Sequence, residues 1–438
     1  MNTQRRAFLF GLLAGGGLLG LRSLATGLPP SFLAEARADT PPPPDTAQFL
    51  ILSTSGAGDP LNTTAPGSYG HEAAGAVYNP HPELAPTPIQ LGSASSIAAA
   101  PWAALPPEIL ARTAFFHNST YTLNHSDEAK VLRLMGSAKR LTNGVVNGED
   151  MAVSIYSKSL ATRLGTLQVE PISVAQVGLS YDGRVLNSVP PSALKQILGG
   201  QKGVLGDLRK LRDQSLDQMR DKLKDSSLPQ RKFLDAYATS QAQVRAIQED
   251  LLARLDSIKS DDPDDQISAA ITLILMKVSP VVTISIPFGG DNHTDLGLGQ
   301  EAAEVVSGVA RVKGVLDGLG AAGLHDRATL ALSNVFGRTF RDAKDGRTHN
   351  ADHQVTVMIG KGVAGSVIGG IRDLGPGKDF GASAIDSSTG LAADKGDVTT
   401  TETLESTGKT LGAALGVEVA TLEARITGGK IIKAALAV

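Results

Sequence analysis

The sequence predicts an α/β fold with a mostly parallel sheet covered by helices on both faces. Continuous apolar runs of strand length recur along the chain, amphipathic helical stretches lie between them, and polar loops mark the ends of the runs. Strands that are apolar at every position, rather than at alternate ones, are buried on both faces, as a parallel strand is between two helix layers.

The N-terminal residues read as an export signal and stand apart from the fold. Thr3-Gln4-Arg5-Arg6-Ala7-Phe8-Leu9 carries paired arginines ahead of a glycine-interrupted apolar run, Phe8 to Leu21. Ala36-Arg37-Ala38 then offers small residues where a signal peptidase cuts. Residues 1–38 thus resemble a twin-arginine (Tat) signal. The apolar run is too short and too rich in glycine for a comfortable membrane span. The expectation is periplasmic or extracellular location by Tat export, with no stable membrane span after cleavage. Pro41 to Pro44 make residues 39–48 an extended, proline-rich spacer.

The domain proper, 49–438, opens with the run Phe49 to Ser55, which leads into Gly-Ala-Gly-Asp-Pro. Further strands are expected at Thr113 to Phe116, Val281 to Phe288, Ala328 to Leu332 and Val355 to Ile359, with helical patterns such as Asp127 to Leu141 and Glu301 to Leu319 between them. Residues 200–265 differ. Leu208, Leu211, Leu216, Met219 and Leu223 form one helical stripe, and Tyr237, Val244, Ile247, Leu251, Leu255 and Ile258 another. Leu228-Pro229 separates the two and Asp261-Asp262-Pro263-Asp264-Asp265 ends the second, so an inserted helical hairpin is expected, as a lid or a packing layer.

Composition narrows the functional classes. The 438 residues are 42% hydrophobic and 19% charged, with a formal net charge of −3, as in an ordinary globular protein. No basic stripe with interleaved aromatics appears, so nucleic acid is not an expected partner. The chain has no cysteine. That excludes disulfides, thiolate-held zinc and cysteine nucleophiles, and leaves oxygen and imidazole nitrogen as the ligands for any metal.

Ligands of open α/β sheets bind beyond the carboxyl ends of the strands. The polar residues at the expected strand ends are Asp59, then His117 and Asn118 with His125 further on, then Asp291 and His293. After the fourth strand comes Asn334-Val335-Phe336-Gly337-Arg338, and before the fifth come His349, Asp352 and His353. In an extended segment residues two apart point the same way, so Asp291 and His293 could share one ion. Carboxylates and imidazoles without cysteine suit zinc, manganese or a mixed two-metal site that activates a water or hydroxyl. Arg338 or Arg347 could clamp an anionic group. Simpler roles stand beside these: Asp291, Asn292 or Thr294 as a helix cap, His117 as a hydrogen-bonded structural residue, Asp59 before Pro60 as a turn element. Ser227-Leu228-Pro229-Gln230-Arg231 fits the short pattern around the modified serine of some sulfatases, but it falls in the turn of the helical hairpin and reads as chance.

Taken in order, GAGDPLNTTAP, HNSTYTLNHSDEA, GGDNHTD, LSNVFGRT and NADHQVTVMIGKGVAGSVIGG resemble the exported proteins called domain of unknown function 1501, which look like members of the alkaline phosphatase and sulfatase superfamily. The resemblance implies a three-layer α/β/α alkaline-phosphatase-like domain. It also implies metal ligands at Asp59, Asp291, His293, Asp352 and His353, with zinc expected first and manganese or magnesium as alternatives. Arg338 matches the arginine of the family's F-G-R element. Two departures follow: Val335 stands where the family has an acid, and Asn124 stands where a serine nucleophile is expected. Thr120, Thr122 or Ser126 could then supply the hydroxyl, with Thr122, Ser126 and Arg338 the candidates for a catalytic role. The implied function is an exported metal-dependent hydrolase acting on the phosphate or sulfate ester of an anionic small molecule or polymer. The alternative is a catalytically degenerate relative, binding a protein partner or serving a structural role in the periplasm.

Overall fold

The computed structural model describes residues 46–69, 79, 81–136, 139–140, 146–147, 150–198, 218, 254–341 and 346–437. The export signal, most of the spacer and most of the expected hairpin at 200–265 lie outside these described residues. The chain divides into two compact units, Met1–Asp45 with Pro191–Asp261, and Thr46–Pro190 with Asp262–Val438. In the first, a helix at Pro191–Leu198 is tied down by Ser192, which donates through its amide and hydroxyl to the Asp261 carboxylate.

The second unit is mixed α/β. The strands that position its polar edge are β1 (Phe49–Ser55), β2 (Thr113–Asn118), β3 (Ile172–Ser173), β4 (Val281–Ile284), β5 (Ala328–Asn334), β6 (Gly337–Arg338), β7 (His349–Asn350), β8 (Gln354–Ile359) and β9 (Ser366–Ile368). A seven-stranded sheet runs in the order β9-β2-β8-β5-β1-β4-β3, and β6 pairs with β7 as a separate ribbon. β1, buried at all seven positions, lies between β4 and β5 and parallel to both, as its unbroken apolar run predicts. β4 stops at Ile284, short of the expected Phe288, because beyond it the Ser53 hydroxyl accepts the Ile286 amide in place of ladder pairing.

One strand runs the other way. β8 is antiparallel to both of its neighbours, β5 and β2. The residues just before β8 therefore lie at the edge where β1, β2, β4 and β5 end. An all-parallel sheet would have placed His349, Asp352 and His353 at the opposite edge.

The helices around this sheet are α1 (Glu128–Leu134), α2 (Ala152–Leu164), α3 (Pro263–Leu275), α4 (Gly299–Ala321) and α5 (Thr403–Ala414). They lie against both faces. Phe115 of β2 meets Trp102 edge-on at 5.1 Å, and Trp102 stacks on Phe288, itself packed where Gly308 of α4 leaves room for the ring. Asn118, of opposite parity on the same strand, donates to the Thr407 hydroxyl of α5. The acidic run 261–265, expected to end a helix, follows the helical residues 254–257 and also starts the next helix. Asp262 accepts the Asp265 amide and Pro263 takes the first turn of α3. Among the described residues no helix is long and apolar enough to cross a membrane.

Candidate metal centre

Loops from three parts of the chain meet at the carboxyl edge of the sheet. After β4, Gly289 to Asp295 turns back toward α4, and the Asp295 carboxylate takes the Gln300 and Glu301 amides. The tether at the start of α4 is therefore Asp295, which frees Asp291 from a capping role. After β2, the Asn124 side chain accepts the Ser126 amide and shapes a single turn that carries His125. The β6–β7 ribbon sets Arg338 directly opposite His349.

These loops bring His125, Asp291 and His349 together, with one ligand atom of each within 4.8 Å of the others, and this cluster could hold a metal ion. His125 Nε2 lies 3.6 Å from Asp291 Oδ2, and His349 Nε2 lies 3.4 Å from Asp291 Oδ1. His293 joins from the exposed side, its Nε2 being 2.9 Å from Asp291 Oδ1 and 3.0 Å from His349 Nε2.

The far side of each ring settles its tautomer. His125 Nδ1 is 2.7 Å from the Gly56 carbonyl oxygen, and His349 Nδ1 is 2.8 Å from that of Leu123. A carbonyl only accepts, so each Nδ1 carries a proton, and in the neutral ring Nε2 then turns its lone pair toward Asp291. An outer-shell carbonyl that fixes ring and tautomer is how ligating histidines are normally held. Partial burial, outweighing its bonds to Leu123 and Asp291, keeps the His349 imidazole below its ordinary pKa and so neutral. At Asp291 burial acts the other way, yet the close approach of His349, the hydrogen bonds from Arg338 and the charges of Arg338 and His293 hold the carboxyl below its usual value.

An aromatic platform supports the rings. Phe336 stacks on His349 with centroids 4.1 Å apart and meets His125 edge-on at 5.0 Å. Gly58 gives Phe336 its place. Its φ is +69°, and a β-carbon there would fall 1.9 Å from the ring.

The residues expected from sequence part company here. Asp291 belongs to the cluster, and His293 lies against it. Asp59 is buried beside it without touching a histidine: it accepts from Ser55 Oγ at 3.1 Å and from the Phe288 amide. Burial, only partly offset by these bonds, pushes its carboxyl up to about 7. The Asp352 side chain is exposed. His353 is fully buried in a chain of bonds, accepting from Asn62 Nδ2 at 3.4 Å and donating through Nε2 to His117 Nδ1 at 2.8 Å, while His117 donates to the Pro66 carbonyl at 2.9 Å. That geometry needs both rings neutral, and burial together with His117 holds His353 well below its ordinary pKa.

Arg338, read from sequence as an anion clamp, is completely buried. Its Nε donates to Gly58, its Nη2 to Ala57 and Gly290, and both Nη atoms reach Asp291 Oδ1 at 3.2 Å. A buried guanidinium requires such partners, because an unpaired one would lose its hydration without return. Arg338 thus clasps the loops after β1 and β4 to each other and aims Asp291. Arg347 is likewise buried, against Glu301. Of the hydroxyl candidates, Thr122 donates to Asp127 and Ser126 to Asn124, while the Thr120 hydroxyl is buried without a partner among the described residues. Neither protein-family models nor curated proteins give a match to this chain.

His125 and His349 belong to the cluster although no ligand motif singles them out. Their position at strand ends was legible; their meeting depends on the reversal of β8 and on two backbone carbonyls.

Proposed function

We propose that this chain is an exported, metal-dependent, hydrolase-like protein of the alkaline phosphatase and sulfatase superfamily, built on one His/Asp centre and acting on a phosphate or sulfate ester. The mostly parallel sheet with helices against both faces supports the three-layer arrangement of that superfamily, and the twin arginines support Tat export. The observation that carries the reading is the matched anchoring of His125 and His349, each with Nδ1 on a backbone carbonyl and Nε2 turned to Asp291. Imidazoles with one carboxylate and no thiolate suit zinc, with manganese as an alternative.

A zinc ion in such a site supplies a bound water of lowered pKa and an electrophile for an ester oxygen. The chain's own residues then orient and hold. Arg338 aims Asp291, Phe336 keeps two rings upright, and His349 stays neutral as a ligand must. A non-catalytic binding or structural role is the second reading. It is favoured by Arg338 being spent on protein partners and by the engagement of Thr122 and Ser126 with their neighbours.

Metal analysis of the purified protein with a panel of phosphate and sulfate esters separates the two. Zinc at one equivalent, lost in an Asp291→Ala, His349→Ala variant and accompanied by ester hydrolysis, supports the hydrolase. Zinc without hydrolysis leaves the binding role. Absence of zinc, manganese and magnesium binding overturns the metal centre.

A further inference from the structure

The residue between Asp291 and His293 faces inward. Asn292 is buried, and it is held twice. Its amide donates to Glu301 Oε2 at 2.8 Å, and its carbonyl accepts the Arg347 amide at 2.9 Å. Those two partners are themselves a fully buried ion pair, with Arg347 Nε 2.8 Å from the same Glu301 oxygen. Glu301 Oε1 accepts further bonds from Thr63 Oγ1 and Asn79 Nδ2. Arg347 reaches in the other direction, donating from Nη1 to the Thr339 carbonyl at 2.8 Å, next to Arg338 on the ribbon. The backbone is shaped to allow this: Gly346 has φ +122°, and a β-carbon there would lie 2.5 Å from the His293 carbonyl.

As a source of stability this network is a poor choice. A buried ion pair gains little over well-packed apolar residues of the same volume. Moreover Asn292 Oδ1 and Arg347 Nη2 are buried without a partner among the described residues, which is unfavourable. What the network does achieve is geometric. It joins the loop that carries Asp291 and His293 to the ribbon that carries His349.

We infer that Asn292, Glu301 and Arg347 are positioning residues that lock the Asp291–His293 loop and the His349 ribbon into one binding geometry. The inference rests on the metal-centre reading for its purpose. Its geometry stands in the metal-free protein and is tested there.

The test compares Asn292→Ala and Glu301→Gln with the wild type in two measurements. The first is the rate of histidine carbethoxylation in chelator-treated protein, read residue by residue by mass spectrometry, with buried His117 and His353 as controls for the fold. The second is zinc affinity by chelator competition. With the lock removed, His293 reacts several times faster while His117 and His353 stay protected, and zinc binds about 10–100-fold more weakly, as when an outer-shell partner is lost. An unchanged His293 rate in both variants overturns the inference. If Asn292→Ala exposes the control histidines, the nearly isosteric Glu301→Gln decides. Exposure of the controls in both variants makes the network a plain stability element and also overturns it. A wild type that binds no zinc refutes the metal centre instead, and the His293 rates still decide whether the loop is locked.

Discussion

His293 Nε2 and His349 Nε2 face each other at 3.0 Å. Because His349 spends its Nδ1 proton on the Leu123 carbonyl, its Nε2 is an acceptor, and so is the neighbouring Asp291 Oδ1. The contact is closed by the Nε2 proton of His293 or by a cation in its place. On the proposed metal centre, His349→Ala removes one of the three groups that could ligate the ion. Zinc affinity is expected to fall by at least about 100-fold, beyond what losing an outer-shell partner usually costs. A chelator competition that returns wild-type affinity for this variant would falsify the assignment of His349.

The pH dependence of zinc binding follows from the same ring. Metal and proton compete for an imidazole lone pair. Burial holds His349 below its ordinary 6.5, so the ring stays available where a free histidine already protonates. Zinc affinity measured from pH 7.5 down to 5.5 is expected to fall less steeply at first than for a set of solvent-exposed histidines. A midpoint at or above 6.5 that moves with His349→Ala contradicts this.

Gly58→Ala tests the aromatic platform. The new methyl meets the Phe336 ring head-on at a positive φ, so the ring or the loop after β1 has to move. Overpacking together with left-handed strain costs about 2–4 kcal/mol. Urea unfolding reads the stability. Zinc binding is expected to weaken alongside, because Phe336 carries His349 and His125. Loss of stability with zinc affinity unchanged would separate the platform from the centre.

Asp59 makes the metal-free protein sensitive to pH in an unusual direction. Its carboxyl titrates at about 7 in the fold against 3.8 as a free side chain, so between those values the folded state holds the extra proton. Stability from this group is fully present below about pH 4 and declines as pH rises toward 7. Between pH 4 and 8, Asp59→Asn is expected to gain on the wild type by up to roughly 4 kcal/mol. Equal slopes for the two proteins in urea unfolding would dismiss the shift.

His353 acts with the opposite sign. It is buried neutral, with a folded pKa well below 6.5, so in acid the unfolded chain takes up a proton that the folded one refuses. Stability from this group is present above about pH 6.5 and is lost as pH falls below it. His353→Leu is expected to start less stable near pH 7.5, since Asn62 and His117 lose a partner, but to lose less on acidification to pH 5. The difference between the two acid slopes is the measurement, and parallel slopes refute it.

Much of the framework could be read from the chain. β1, β2, β5 and β8 are near-continuous apolar runs, and burial on both faces leaves a sequence little choice but to write them so. The Asp291-x-His293 spacing likewise pointed to Asp291, the carboxylate of the cluster. Two things were hidden. The direction of β8 has no signature in its own residues, yet it decides which edge His349 reaches. Arg338 looked like a surface clamp because its partners at Ala57, Gly58 and Gly290 are backbone carbonyls, and carbonyls are the same in every residue. The three remaining expected ligands went elsewhere for local reasons. Asp59 met Ser55 and Phe288, His353 met His117, and Asp352 turned to solvent.

The reversed strand also sets a timetable. Leu123 and His349, joined by one hydrogen bond, are 226 positions apart in the chain. Until the ribbon at 337–350 has left the ribosome and β8 has inserted between β2 and β5, His125 and Asp291 have no His349 opposite them and Phe336 lacks the ring it stacks on. Contacts of such sequence separation carry a large loop-closure cost and slow folding. An ion that needs all three loops therefore cannot seat on a nascent or half-folded molecule. Uptake of an ion by this cluster would mark molecules that have finished folding.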